Sequence, residues 1–213
     1  MTTTLLIRHG ESEANRENIF AGYLNVDLLE NGRVQAKLTA QYIKENYRVD
    51  KIYSSDLKRA LNTAKALADI FGLEVEATPQ LREIDAGKWD GIKYDKLIEL
   101  YKEDFSRWIH DFANSRCTGG ESVKEMSVRV IKELTRIAEE NDGKTVAVAT
   151  HATPIRAMQT IIQYGDISEI GKTGWVSNAS VTELKYDAGK WECIGISHDE
   201  HLGKLGTRLP DSI

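Results

Sequence analysis

The sequence predicts an α/β fold, a three-layer sandwich in which a mostly parallel central sheet is flanked by helices. Three observations point there. Short apolar runs alternate along the chain with longer segments whose apolar residues recur at helical spacing. One run, Thr145-Val146-Ala147-Val148-Ala149, is apolar at nearly every position, as a strand covered on both faces must be. Polar residues collect where the runs end, at Arg8-His9-Gly10, Ser54-Ser55 and Thr150-His151, the edge where ligands bind in sheets of this kind.

Taken in order, Leu5-Leu6-Ile7 reads as a buried strand that stops at Arg8-His9-Gly10, and a loop with Gly22 and Asn25 follows. A helix is expected from about Asn31 to Asn46, on the spacing of Val34, Leu38, Tyr42 and Ile43. Lys51-Ile52-Tyr53 is a short strand. The next helix begins near Asp56, carries Leu57, Leu61, Ala64, Leu67, Ala68 and Phe71 on one stripe, and stops at Gly72. Glu74 to Ala77 fits an edge strand. From Lys88 to Arg116, Trp89, Tyr94, Tyr101, Phe105, Trp108 and Phe112 stand among charges, which suggests short amphipathic helices forming an insertion or lid.

Gly119-Gly120 ends that stretch. Ser122 with Glu125 three residues later is a capping box, followed by Val123, Met126, Val130, Leu134 and Ile137 at helical spacing. Asn141-Asp142-Gly143 reads as a turn into the 145–149 strand. A helix is expected from about Pro154, since proline suits a first turn. Val181–Tyr186 and Trp191–Ile196, joined through Asp187-Ala188-Gly189-Lys190, make a closing hairpin. A chain of 213 residues, 41% hydrophobic and 29% charged, fits one domain over 1–213.

A net charge of −5 argues against nucleic-acid binding by phosphate neutralisation, though a few arginines can still surround one small anion. No apolar run approaches the roughly 18–20 residues of a membrane span. The start, Met1 to Arg8, has no charged n-region and too short an apolar stretch for a signal peptide. Two scattered cysteines, Cys117 and Cys193, suit a reducing compartment and lack any nucleophile context. The expected setting is therefore cytoplasmic, without nucleic-acid or membrane partners, and the oligomeric state is left open between monomer and homodimer.

Two histidines and two arginines converge on the predicted strand ends: Arg8, His9, Arg59 and His151. Each alone has an ordinary structural explanation, a histidine at a strand end or an arginine on a solvated helix face. Together they read as an oxyanion site. Guanidinium forks match phosphate oxygens, and a neutral imidazole is a nucleophile.

These residues carry a family resemblance. Leu6-Ile7-Arg8-His9-Gly10-Glu11-Ser12-Glu13-Ala14-Asn15 resembles the signature of the histidine phosphatase superfamily, with its phosphoglycerate-mutase-like fold. Asp27 to Ala36 is similar to the family's next helix start, and Ser54-Ser55-Asp56-Leu57-Lys58-Arg59-Ala60 to its second arginine motif. Leu81-Arg82-Glu83-Ile84-Asp85-Ala86-Gly87-Lys88-Trp89-Asp90-Gly91 resembles its acidic motif, and Gly119-Gly120-Glu121-Ser122 the segment before a long helix. Thr150-His151 with Pro154-Ile155-Arg156 resembles the second-histidine motif, and Asn178-Ala179-Ser180-Val181 the late strand. Together these span about residues 4–186.

The resemblance implies a metal-independent, cofactor-free phosphomonoester hydrolase that works through a phosphohistidine at His9. Arg8, Arg59 and His151 would clamp the phosphoryl oxygens, with Asn15, Gly22 and Ala152 completing the pocket. Glu83 would protonate the leaving alcohol and then accept a proton from water. Because preplaced cations stabilise the spread charge, no metal is required. His9 must be neutral at its attacking nitrogen, so its other ring nitrogen is expected to donate to a backbone carbonyl. Ala152 stands where the family commonly has glycine, and Ala21 where the mutases often have a hydroxyl residue.

A second reading is a cofactor-dependent phosphoglycerate mutase, which would use 2,3-bisphosphoglycerate; the loop Asn15 to Tyr23 resembles that branch. Against it, Glu83 is followed by Ile84-Asp85-Ala86, the mutase lysine falls at Tyr94, and no paired arginines follow in 95–115. Asp85 near the mouth would repel a bisphosphorylated acid. A third reading is a phosphate-binding module with dead chemistry, disfavoured because His9, Arg59, Glu83 and His151 are all present. The expected partner is a small phosphomonoester, its identity set by the insertion and by loops near 20–23 and 165–178. His198 and His201 are expected to be solvated in a polar tail.

Overall fold

The computed structural model describes residues 1–207; residues 208–213, the end of the domain expected over 1–213, lie outside the described residues. The strands β1 (Thr2–Arg8), β2 (Lys51–Ser55), β3 (Val75–Thr78), β4 (Thr145–Thr150), β5 (Val181–Asp187) and β6 (Lys190–His198) form one sheet, ordered β3-β2-β4-β1-β5-β6. β3, β2, β4 and β1 run parallel, while β5 and β6 join antiparallel at the other edge. The hairpin closes through Ala188 and Gly189, both with positive φ (46° and 81°), the combination a two-residue turn of matching twist requires.

Alternation along the central strands divides the core into two layers. Leu5 and Ile7 of β1 and Ala147 and Ala149 of β4 face one side. There they meet Ala40 and Ile43 of α2 (Glu30–Asn46) and Ala64 and Leu67 of α3 (Lys58–Phe71). Leu6, Val146 and Val148 face the other side. There they meet Val130 and Leu134 of α6 (Val123–Glu140) and Ile155 and Met158 of α7 (Ala152–Tyr164). Leu5, Leu6 and Ile7 are fully buried, each side chain contributing roughly 1.5–3 kcal/mol of transfer free energy. Helices thus cover both faces of a mostly parallel sheet.

Helix ends follow the sequence. The Ser122–Glu125 capping box is formed in both directions, and Gly72 closes α3 in the left-handed conformation at φ 67°. Three departures are local. A five-residue helix, α1 (Glu13–Glu17), stands where only loop was expected, capped by Ser12 and Asn15 in a box that uses Asn instead of Glu or Gln. α7 begins at Ala152, two residues before Pro154, because His151 is the extended residue that precedes the first turn.

The 88–116 segment forms α4 (Tyr94–Leu100) and α5 (Lys102–His110). Its Trp89, Leu97, Phe105, Trp108 and Phe112 belong to the same buried cluster as Leu6 and Met158, so these side chains extend the core on that face. The third departure concerns the tail. His201 is not solvated: its ring stacks on Tyr42 at 4.6 Å, and Nε2 lies 2.9 Å from Thr39 Oγ1. His198 ends β6 and is half-buried. A short 3-10 turn over Glu200–Leu205 lays the tail back on α2, which the polar composition of those residues does not announce.

Candidate active site

The carboxyl ends of β1, β2 and β4 open on a cavity of about 1190 Å³. Arg8, His9, Asn15, Arg59, Glu83 and Ala152 line it, so six of the eight residues expected at the site come together. β1 delivers Arg8 and His9. Arg59 is the second residue of α3, which follows β2, and Ala152 opens α7 after β4. Glu83 comes from the loop beyond β3, and its Oε2 accepts from the Thr153 amide in the first turn of α7 at 3.3 Å.

His9 is nearly buried, and its Nδ1 lies 2.8 Å from the carbonyl oxygen of Gly10. A carbonyl only accepts, so Nδ1 carries the hydrogen and Nε2 keeps its lone pair. Burial, with Arg59 and Arg8 nearby, holds the imidazole well below its usual pKa of 6.5. The ring is therefore neutral, as a nucleophile must be.

Both guanidiniums are held by carbonyl oxygens. Arg8 Nη1 donates to Val176 at 2.7 Å; Arg59 donates to Leu24 at 2.7 Å, Gly22 at 2.8 Å and Ala21 at 3.0 Å. Burial lowers each to about 10, opposed by the charge of Glu83, and both remain cationic at neutral pH. Glu83 is moved the other way. Burial raises its pKa above 4.5, against the pull of the Ile84 amide, Arg59 and the Thr153 amide. A carboxyl raised in this way is suited to give and retake a proton.

Three expectations need correction. His151 does not line the cavity. It lies beside His9, ring centres 5.2 Å apart, with Nε2 2.9 Å from Ser55 Oγ and Nδ1 buried without a partner among the described residues. The contact with Ser55, the last residue of β2, holds the ring there. Gly22 offers no free amide, because its N–H donates to Asp90 Oδ1 at 2.6 Å; Ala21 lines the cavity instead. Asp85 is not at the mouth either. Its carboxylate accepts from the Gly87 amide at 3.0 Å, so its charge is no argument against a second anionic group.

The wall beyond these residues is aromatic: Phe20, Tyr94, Phe105, Trp108, Phe112 and Trp175. Trp89 of the same aromatic set is instead fully buried. The segment 171–175 contributes its part of the wall with Lys172 and Thr173, in the region expected to set specificity. Sequence reasoning passed over Arg156 and Trp175 as site residues, and Asn178 as well. A charged residue in a helical segment as buried as 152–160 was the available signal for Arg156. Among the described residues, no three His, Cys, Asp or Glu side chains are grouped to hold a metal ion.

The comparisons with known proteins agree with this geometry. The family model of the histidine phosphatase superfamily (branch 1) matches residues 4–199. Phosphoserine phosphatase 1 of Hydrogenobacter thermophilus is 35% identical over 96% of this chain and 96% of its own. Phosphoglycerate mutase-like protein 4 of Arabidopsis thaliana is 31% identical over 94% of this chain and 88% of its own. Among solved structures, a mutant phosphoserine phosphatase of Entamoeba histolytica in complex with phosphoserine superposes with a TM-score of 0.83. It is 27% identical, covering 95% of this chain and all of that one. The match across nearly the whole sequence and the arrangement of Arg8, His9, Arg59 and Glu83 agree: this chain belongs to the histidine phosphatase superfamily.

Proposed function

We propose that this enzyme, a phosphomonoester hydrolase of the histidine phosphatase superfamily, transfers the phosphoryl group of a small metabolite first to His9 and then to water. One observation carries the reading. The Gly10 carbonyl fixes the hydrogen of His9 on Nδ1, which leaves Nε2 free on the wall of a cavity that also holds Arg8, Arg59 and Glu83.

In the first step the Nε2 lone pair attacks phosphorus while the P–O bond to the alcohol breaks. Glu83 donates its proton to the departing oxygen. In the second step Glu83 takes a proton from water, whose oxygen attacks phosphorus. The N–P bond breaks, its electrons return to Nε2, and phosphate leaves. Charge on the three equatorial oxygens faces Arg8, Arg59 and the Ala152 amide at the start of α7, so the chemistry runs without a metal. His151, through its edge-on contact with His9, serves as a second imidazole behind the nucleophile. Residues 88–116 roof the cavity as an insertion within the single domain. Two free cysteines support a reducing, cytoplasmic setting; among the described residues no helix is long and apolar enough to cross a membrane.

The test is rapid quench with a ³²P-labelled phosphomonoester, followed by acid treatment. An acid-labile, base-stable phosphoprotein is expected from the wild type and is absent in His9→Ala, which also loses hydrolysis. Wild-type rates in His9→Ala would end the mechanism. Stimulation by 2,3-bisphosphoglycerate of 2- and 3-phosphoglycerate interconversion, faster than phosphate release, would replace hydrolase by mutase.

A further inference from the structure

Several arginines outside the cavity pair with acids, among them Arg82 with Asp56 at 2.6 Å, Arg129 with Glu121 at 2.8 Å and Arg136 with Glu133 at 2.8 Å. Three buried arginines that line the cavity behave differently. Arg8 and Arg59 rest on carbonyl oxygens, and so does Arg156, whose Nε donates to Thr173 at 2.8 Å and Nη2 to Ile170 at 2.9 Å. Carbonyl oxygens hold a guanidinium in place without cancelling its charge. A buried cation left in that state is expensive unless a ligand supplies the anion.

Arg8 and Arg59 face the phosphoryl group in the reading above, which leaves Arg156 without a function. Only burial acts on its pKa, lowering it to about 10, and no acidic side chain raises it. The Phe112 and Trp175 rings lie 4.9 and 4.3 Å from its Cζ and shield it from water. Among the described residues Nη1 has no partner, and it is not sealed in the interior, so this edge of the fork is the one presented to the cavity. Arg156 stands four residues after Ala152 on α7, on the same face and about 6 Å farther along the axis. In the hydrolase reading the phosphoryl group lies at the Ala152 end.

We propose that Arg156 binds a second anionic group, a carboxylate on the alcohol half of the substrate. This inference rests on the hydrolase reading and narrows it: the substrates are phosphate esters of hydroxy acids or hydroxy amino acids. A phosphorylated alcohol without the carboxylate fills the same phosphoryl site but leaves Arg156 uncompensated.

Two matched substrates test it, O-phosphoserine and O-phosphoethanolamine, which differ by the carboxylate alone, with p-nitrophenyl phosphate as the control for hydrolysis. The wild type is expected to favour phosphoserine in kcat/KM by on the order of 10- to 100-fold, the range of one charge-assisted contact. In Arg156→Met that ratio falls toward one, chiefly through KM, and in Arg156→Lys it falls part of the way. Thermal melts show which variants fold, and the wild-type ratio stands by itself should Arg156→Met not fold. A wild-type ratio near one, or equal losses on both substrates in Arg156→Met, overturns the assignment while leaving the hydrolase intact. Failure of the wild type on all three esters would remove the hydrolase reading itself.

Discussion

The side-chain amide of Asn178 donates to the carbonyl oxygen of His9 at 3.0 Å. The same nitrogen lies 3.3 Å from Asn15 Oδ1, while Asn178 Oδ1 accepts from Thr207 at 2.9 Å. One buried amide therefore ties the backbone of His9, the proposed nucleophile, to α1 on one side and to the C-terminal tail on the other. Asn178 touches no reacting atom in the proposed mechanism. It is a positioning residue, and it holds still the peptide whose Nδ1–Gly10 contact sets the tautomer of His9.

Asn178→Ala is expected to lower kcat by roughly tenfold or more with a smaller change in KM, since phosphoryl binding by Arg8 and Arg59 is untouched. Removing a buried donor also costs about 1–3 kcal/mol of stability. Steady-state kinetics beside urea denaturation separate the two effects. An unchanged kcat with only the stability loss would make Asn178 purely structural.

Glu83 gives a second prediction through leaving groups. Its raised pKa makes it a proton donor to a departing alkoxide, but p-nitrophenolate leaves without that help. Glu83→Gln should lower kcat on alkyl phosphates by about 10²–10⁴ and on p-nitrophenyl phosphate far less. Equal losses on the two classes would assign Glu83 to binding instead of proton transfer.

Phe20 joins the nucleophile loop to the 88–116 segment. Its ring centre lies 5.1 Å from Trp108, 5.3 Å from Tyr94 and 5.4 Å from Trp89, and it also lines the cavity. Phe20→Ala should cost about 3–5 kcal/mol, read as a lower denaturation midpoint at unchanged m. KM should rise with it, because the roof loses its anchor beside the substrate. A normal midpoint would mean that the aromatic cluster repacks around the missing ring.

The residues near the proposed phosphoryl site were legible because strand ends announce themselves: an apolar run stops, and a charged or imidazole side chain follows at once. Arg8 and His9 were found that way and Arg59 through the Ser54-to-Ala60 motif after the second run, and the capping box of α6 and the Gly72 stop are equally local signals. What escaped depends on contacts between distant segments. Asn178 reaches His9 across 169 positions. Arg156 meets Trp175 and Phe112 only once α7, the Phe112–Asn114 turn and the 171–175 segment have folded together. The errors at His151, Gly22 and Asp85 share one cause. Spacing places a residue at a strand end or loop, but the rotamer or hydrogen bond that turns it toward or away from the cavity is set by neighbours such as Ser55, Asp90 and Gly87.

The neutrality of His9 and His151 has a consequence for stability. Both are held well below 6.5 by burial and by the neighbouring arginines. Below pH 6.5 the unfolded chain binds protons on these two rings that the folded chain refuses. Unfolding then takes up protons, so stability falls as pH drops from about 6.5, by up to about 1.4 kcal/mol per pH unit for each histidine. Glu83 acts in the opposite sense, because its raised folded pKa keeps a proton that the unfolded chain has released above about 4.5. Glu83→Gln should therefore steepen the acid-side fall. His9→Gln removes one refused proton and should flatten it. Urea midpoints measured between pH 5 and 7.5 on the three proteins check both signs. If His9→Gln kept the wild-type slope, His9 would be taking up its proton while folded, and an imidazolium at that position has no lone pair with which to attack phosphorus.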